Sequence, residues 1–131
     1  MAAKTAKPKQ ANVEDIGGVF IYANDAKALT QWYKDKLGME LSSNDDGSNN
    51  WLVFDRKDGP PSVFAIKPAT AKLPAEKNHF MLNFRINDFE AFLKRLQAKG
   101  VALDRTEDGD YGRFGWIKDL EGNPVEFWQP K

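Results

Sequence analysis

The chain has no cysteine and a single histidine among its 131 residues, and its 19 lysines and arginines balance its 19 aspartates and glutamates. Without cysteine there are no disulfides, no thiolate metal sites and no thiol nucleophile. A Ser-His-Asp triad would have to use His79, and no serine stands in a supporting context. Zero net charge supplies no field to recruit nucleic acid or an anionic membrane, so neither is expected as a partner. No apolar run approaches the roughly 20 residues that span a bilayer. The first dozen residues, rich in Lys and Ala, lack the apolar core of a secretory signal. The expectation is a cytoplasmic protein with a loose tail over residues 1–15.

Local motifs are as sparse as the composition. There is no glycine-rich phosphate fingerprint, no strained serine elbow and no His-Glu pair at helical spacing. Asp104, Asp108, Gly109 and Asp110 mimic part of an EF-hand loop, but Gly115 stands at the twelfth position, where a bidentate Glu is needed.

What the chain does have is a repeat. At an offset of 62 to 63 residues, Tyr22-Ala23-Asn24-Asp25 meets Arg85-Ile86-Asn87-Asp88, and Gly38-Met39-Glu40-Leu41 meets Gly100-Val101-Ala102-Leu103. Asp46-Gly47 then falls on Asp108-Gly109, and Gly59 to Phe64 falls on Gly122 to Phe127. Two copies are too few for a solenoid and imply a pair of supersecondary units that share one core.

Each copy has the same order of elements. Gly18 to Tyr22 is short, apolar and β-branched, as a buried strand is, and Phe80 to Ile86 alternates apolar with mixed residues. A helix follows each. Asp25 and Asp88 are suited to the N-cap; Leu29, Trp32, Tyr33, Leu37 and Phe89, Phe92, Leu93, Leu96 form the apolar stripes; Gly38 and Gly100 end them. Three further strands are expected after each helix, at Met39–Ser42, Trp51–Asp55 and Ser62–Ile66, then at Ala102–Arg105, Arg113–Ile117 and Val125–Trp128. Turn residues such as Asp45-Asp46-Gly47 and Asp108-Gly109-Asp110 separate the runs. The expected fold is α+β: two paired βαβββ modules, over residues 16–68 and 78–131, joined by a linker over 69–77. Their helices cover the outer face of a cup-shaped mixed sheet.

The stretches Gly18 to Asp25, Trp32-Tyr33-Lys34-Asp35-Lys36-Leu37-Gly38 and Asp119-Leu120-Glu121-Gly122-Asn123-Pro124-Val125-Glu126-Phe127 resemble the glyoxalase, bleomycin-resistance and extradiol-dioxygenase group, the vicinal oxygen chelate superfamily. The resemblance covers the chain from about Ile16 onward. It implies the paired-module cup and, in many relatives, a divalent metal held by one residue from the first and one from the last strand of each module. Those positions map here to Gly18, Val63, Met81 and Glu126. Gly and Val have no side-chain donor and a thioether suits soft ions, which leaves Glu126. His79, which shares strand parity with Met81, is the one added candidate, so any metal would rest on Glu126 and His79 and is disfavoured. The resemblance also implies a homodimer, since relatives of this length complete or border their cups with a second chain.

Parity then nominates the cup lining. Phe20 and Tyr22 share a face with Gly18; Met81, Asn83 and Arg85 share one in the second copy, where Pro124, Glu126 and Trp128 join them. Aromatic walls with one carboxylate and one guanidinium suit a small molecule. Arg113 shares a face with Gly115 and Ile117, opposite Phe114 and Trp116, and parity leaves open which face lines the cup. The expected function is metal-independent small-molecule binding, as in bleomycin-resistance proteins. The alternative is a glyoxalase-like lyase or isomerase with Glu126 as general base.

Overall fold

The structure, a computed structural model, describes residues 15–74 and 80–131. The expected tail up to residue 14, linker residues 75–77 and His79 lie outside the described residues.

The first module comprises β1 (Gly18–Ala23), α1 (Ala26–Leu37), β2 (Ser42–Ser43), β3 (Asn50–Phe54) and β4 (Ser62–Pro68). The second comprises β5 (Leu82–Arg85), α2 (Phe89–Ala98), β6 (Arg105–Gly109), β7 (Gly112–Lys118) and β8 (Pro124–Pro130). Each module closes its own four-stranded mixed sheet, in the orders β1-β4-β3-β2 and β5-β8-β7-β6. The first strand of each runs parallel to the last, and the other pairings are antiparallel. The fold is therefore α+β with two paired βαβββ modules, and the cup-forming sheet is divided into two halves.

The helix caps follow from the sequence. The Asp25 and Asp88 carboxylates accept from Ala28 N and Ala91 N, each at 3.0 Å, and fix where α1 and α2 begin. Gly38 ends α1 with φ of 69°, in the left-handed region that favours glycine. A side chain there would also strike the Arg95 guanidinium, 3.0 Å from where its Cβ would lie. Arg95 is in place because it donates from α2 to the Lys36 and Asp35 carbonyls at 3.0 and 3.1 Å. Lys36 returns the contact, donating to Lys99 O at 3.0 Å. Each helix thus places a cation at the negative end of the other.

The shared core lies between helices and sheets. Leu29, Tyr33, Phe64, Ile66, Phe89, Ile117, Val125 and Phe127 are buried there, each worth about 1.5–3 kcal/mol for the largest aliphatic and aromatic side chains. Tyr33 joins the halves. Its ring meets Phe64 and Phe84, and its hydroxyl donates to Asp119 Oδ2 at 2.8 Å. Burial, with the Asp119 carboxylate beside it, holds that hydroxyl well above the ordinary tyrosine value. Asp119 also accepts from Glu121 N, Asn123 N and Asn123 Nδ2 at 2.7–2.9 Å. The next acid in the motif, Glu121, accepts Asn24 N and Asp25 N at 2.8 Å each, at the entry to α1. The Asp-x-Glu-x-Asn segment is thus a turn, buried at Asp119 and Asn123 and exposed at Leu120, that fastens module two onto α1.

Two strands depart from expectation. β2 is reduced to Ser42–Ser43 because Met39 N donates to Tyr33 O and Leu41 N to Met39 O, so the chain is still turning out of α1 while Leu41 enters the core. β6 lies at Arg105–Gly109 instead of Ala102–Arg105, and Asp110-Tyr111 makes the turn expected at Asp108-Gly109-Asp110. Every residue of β6 is exposed, so no alternation of apolar residues marks it.

Candidate functional site

The faces turned away from the helices follow from the strand registers, because directly paired residues share a face. In β1, Ile21 and Ala23 are buried, and Phe20 and Tyr22 point the other way, 56% and 54% exposed. Val63, Ala65 and Lys67 of β4 stand beside Gly18, Phe20 and Tyr22, with Trp51 and Val53 of β3 next in line. The Lys67 ammonium lies 5.5 Å from the Phe20 ring centre.

On the second sheet, Leu82, Val125, Phe127 and Ile117 are buried beneath α2, where Phe127 packs on Phe89 and Phe92. The opposite face is a grid of two rows. One row runs Asn83, Glu126, Trp116, Arg105 across the four strands; the other runs Arg85, Trp128, Phe114, Glu107. The Phe114 ring lies 6.0 Å from Trp116 and 6.1 Å from Trp128, with interplanar angles of 15° and 9°. Trp128 Nε1 donates to Tyr111 O at 2.8 Å, which fixes its ring. Arg105 stacks its guanidinium 3.8 Å from the Trp116 ring centre.

Glu126 is half-buried at the centre of this face and accepts a hydrogen bond on Oε2 from Asn83 Nδ2. Arg85 is exposed and makes no ion pair among the described residues. Arg113 lies on the opposite face, paired with Glu90 of α2 at 2.7 Å and stacked on Phe89 at 4.3 Å. Parity therefore resolves in favour of Phe114 and Trp116 as cup residues. Sequence reasoning left these two, and Arg105, unplaced; the available signal was the β6–β7 turn, whose position sets that register.

Within one chain the expected site residues fall into separate groups. A cavity of about 780 Å³ is bordered by Phe20, Tyr22, Met81 and Asn83. A second, of about 630 Å³, is bordered by Asn83, Arg85 and Trp128. The first lies along the seam between β1 and β5, the sheet-edge strands; the second lies between β5 and β8 on one side and Phe54, Arg56 and Ser62 on the other, and Asn83 borders both. Glu126 borders neither and touches the seam through Asn83.

The four superfamily metal positions do not fit a divalent ion. A Cβ at Gly18 would lie 2.5 Å from Val63 O, so the backbone there has closed over the space a ligand side chain would need. The register also sets Asn83, not Met81, opposite Glu126, and the amide donates to the carboxylate that would have to bind the ion. Among the described residues no three His, Asp or Glu side chains converge.

Two four-stranded halves, each backed by one helix and opening an aromatic face away from it, define a paired-βαβββ cup protein. The chain belongs to the glyoxalase/bleomycin resistance protein/dioxygenase superfamily, whose family model matches residues 15–127. It is similar to the uncharacterized protein YetH of Bacillus subtilis (strain 168), 23% identical over 114 residues, covering 85% of this chain and 94% of YetH. Its fold is that of a glyoxalase/dioxygenase from Nostoc punctiforme, with a TM-score of 0.74 at 15% identity over 98% of this chain and 99% of that one. It also matches TnmS3, an antibiotic binding protein from Streptomyces sp. CB03234, with a TM-score of 0.66 at 21% identity over 93% of this chain and 100% of that one. No helix among the described residues is long and apolar enough to cross a membrane.

Proposed function

We propose that this protein binds a small molecule in an aromatic cup, without a resident metal, and that a second copy completes the cup. The observation that carries this reading is the helix-free face of the second sheet. Three aromatic rings stand there beside the amide-held Glu126 carboxylate and Arg85, with Arg105 and Glu107 paired at the β6 edge, a layout with apolar area for affinity and polar groups for orientation. TnmS3, which shares the fold, binds an antibiotic and supports the same class of role. In the binding role Glu126 orients a donor of the ligand, Arg85 and Asn83 flank it, and Phe20, Tyr22, Met81 and Trp128 supply apolar wall.

The second copy follows from the separation of the two walls. Phe20, Tyr22 and Met81 are about half exposed on and beside β1 and β5, each the terminal strand of its four-stranded sheet among the described residues. Apolar edge strands of this kind are covered in stable proteins, and a two-fold partner would set one copy's first sheet against the other's second. Light scattering at tens of micromolar protein should give twice the chain mass; a monomer would refute the shared cup.

A lyase or isomerase with Glu126 as general base is the second reading. It is favoured by one observation: among the described residues Asn83 holds Oε2, which leaves Oε1 to face a substrate. Turnover of a thiohemiacetal of glutathione by chelator-treated protein would establish it.

The deciding test of the binding role is Glu126→Gln. A panel of aromatic compounds bearing amino, amide or hydroxyl groups is screened by tryptophan quenching against protein dialysed with chelator. The variant should bind each hit at least about tenfold more weakly, with a melting temperature within a few degrees of the parent. Equal affinity in the variant, or no hit in the parent, would remove Glu126 and the cup from the function.

A further inference from the structure

We infer that this protein has a second binding compartment, outside the cup, for a flexible linear carboxylate of about 8–12 carbons. It shares a rim with the cup at Asn83, Arg85 and Trp128 and otherwise stands apart from that reading.

The compartment is the cavity of about 630 Å³, and most of its apolar wall lies on the helix side of the second sheet. Ile117, Val125 and Phe127, each no more than 1% exposed, form its floor. Phe84 and Ile86 of the second module and Leu37 and Met39 from the end of α1 rise around them, so both modules contribute. A floor without a polar side chain offers water no partner and favours hydrocarbon. The way in turns around β5: Asn83 and Arg85 project to the cup face, Phe84 and Ile86 to the helix face, and β5 is the end strand of its sheet. A rigid ring system does not follow such a turn; an alkyl chain does. At about 30 Å³ for each heavy-atom group, the liquid share of a water molecule, 8–12 carbons take roughly half of this volume and the solvent-facing mouth takes the remainder.

The head group follows from the charges at the mouth, where Arg85 stands on one side and Asp55 and Arg56 on the other. Arg56 is paired with Asp15, whereas Arg85 makes no ion pair among the described residues. The sheet sets Arg85 directly beside Trp128, and a guanidinium takes a carboxylate on two parallel N–H groups. Asp55, the competing charge, lies past Phe54, the last residue of β3, and next to the Arg56 cation. An acid therefore sits against Arg85 with its chain running past β5 to the apolar floor.

The probe is decanoate, titrated into the full chain by isothermal calorimetry beside hexanoate, decan-1-ol, decylamine and adamantane-1-carboxylate. Decanoate should bind at least about tenfold more tightly than each of them, since every methylene that leaves water adds up to about fourfold. Arg85→Gln, an exposed position, should remove the preference over the alcohol and leave the melting temperature unchanged. Met39→Trp, at a partly buried wall position, should weaken decanoate at least about tenfold by filling the cavity. If that variant does not fold, Met39→Ala replaces it and should lengthen the best-bound acid by about two or three carbons, the room of the side-chain atoms removed. Glu126→Gln should leave decanoate affinity unchanged, because Glu126 does not border this cavity. No binding of decanoate to the parent, equal binding of the amine or of the adamantane acid, an unchanged acid preference in Arg85→Gln, or Met39 variants without these effects overturns the inference. A loss of decanoate affinity in Glu126→Gln would place the chain in the cup and overturn it as well. The dependence of the aromatic panel on Glu126 is measured separately, so the cup reading stands or falls on its own.

Discussion

Asp119→Ala should destabilise the protein by about 3–5 kcal/mol, since each buried donor left without an acceptor costs roughly 1–3 kcal/mol. Asp119 is 6% exposed and accepts four hydrogen bonds, from the Tyr33 hydroxyl, Asn123 Nδ2 and the backbone N–H groups of Glu121 and Asn123. Alanine leaves all four donors in place. Tyr33 and Asn123 are themselves buried, so water does not readily replace the carboxylate. In a domain of this size the loss corresponds to a melting temperature lower by about 10–20 °C. Asp104→Ala is the matched control: it removes an exposed ion pair with Lys118, worth about 0–1 kcal/mol. A drop for Asp119→Ala no larger than that of the control would mean that the turn does not fasten the modules together.

Tyr33 adds a pH signature. Its folded-state pKa is raised, so its contribution is complete below the ordinary tyrosine value of about 10 and is lost as pH climbs beyond it, where the unfolded chain ionises first. Melting temperature should therefore decline above about pH 10.

The fold was legible in the sequence where apolar alternation or a cap fixed it. Ile21 and Ala23 against Phe20 and Tyr22, and Leu82 and Phe84 against Asn83 and Arg85, separate by parity as the structure separates them. Asp25, Asp88 and Gly38 mark helix ends for local reasons that need no tertiary context. What sequence reasoning missed depends on register between strands. β6, Arg105-Thr106-Glu107-Asp108-Gly109, is polar throughout and carries no periodic signal. Its pairing with β7 decides that Arg105 lies on Trp116 and that Arg113 turns to α2, so half of the aromatic wall was hidden with it. The Asn83–Glu126 pair was hidden for a related reason. The repeat sets Met81 opposite Glu126, whereas the β5–β8 register is two residues different from that of β1–β4, which keeps parity and changes the partner. The Asp-x-Glu-x-Asn segment was visible as a family motif, but its role in joining the halves required seeing Tyr33 and Asn24 arrive from far along the chain.

Gly115→Ala should cost about 3 kcal/mol, at the upper part of the range for overpacking a filled core, and should disturb the cup as well as the core. A Cβ at position 115 would lie 2.2 Å from the tip of the Phe127 ring, with two more ring carbons within 2.9 Å. Phe127 is hindered from retreating, since it is 1% exposed and packed on Phe89 and Phe92, and the only relief open to it is toward the cavity of about 630 Å³ that it borders. The strain that this relief does not absorb passes to the backbone of β7 and β8. Those strands alternate core and cup residues: Gly115 lies between Phe114 and Trp116, and Phe127 between Glu126 and Trp128. Separating them by even a few tenths of an ångström tilts the three parallel rings out of register. Gly109→Ala is the matched control, because a Cβ there meets nothing within 4 Å and its backbone is outside the left-handed region; it should stay within about 0.5 kcal/mol of the parent. The expected result for Gly115→Ala is a melting temperature about 10 °C lower, together with a changed near-ultraviolet tryptophan dichroism at temperatures where the far-ultraviolet signal is still native. A full loss of stability with unaltered tryptophan dichroism would show that core and cup are mechanically separate, and an unchanged melting temperature would show that Phe127 is not confined as described.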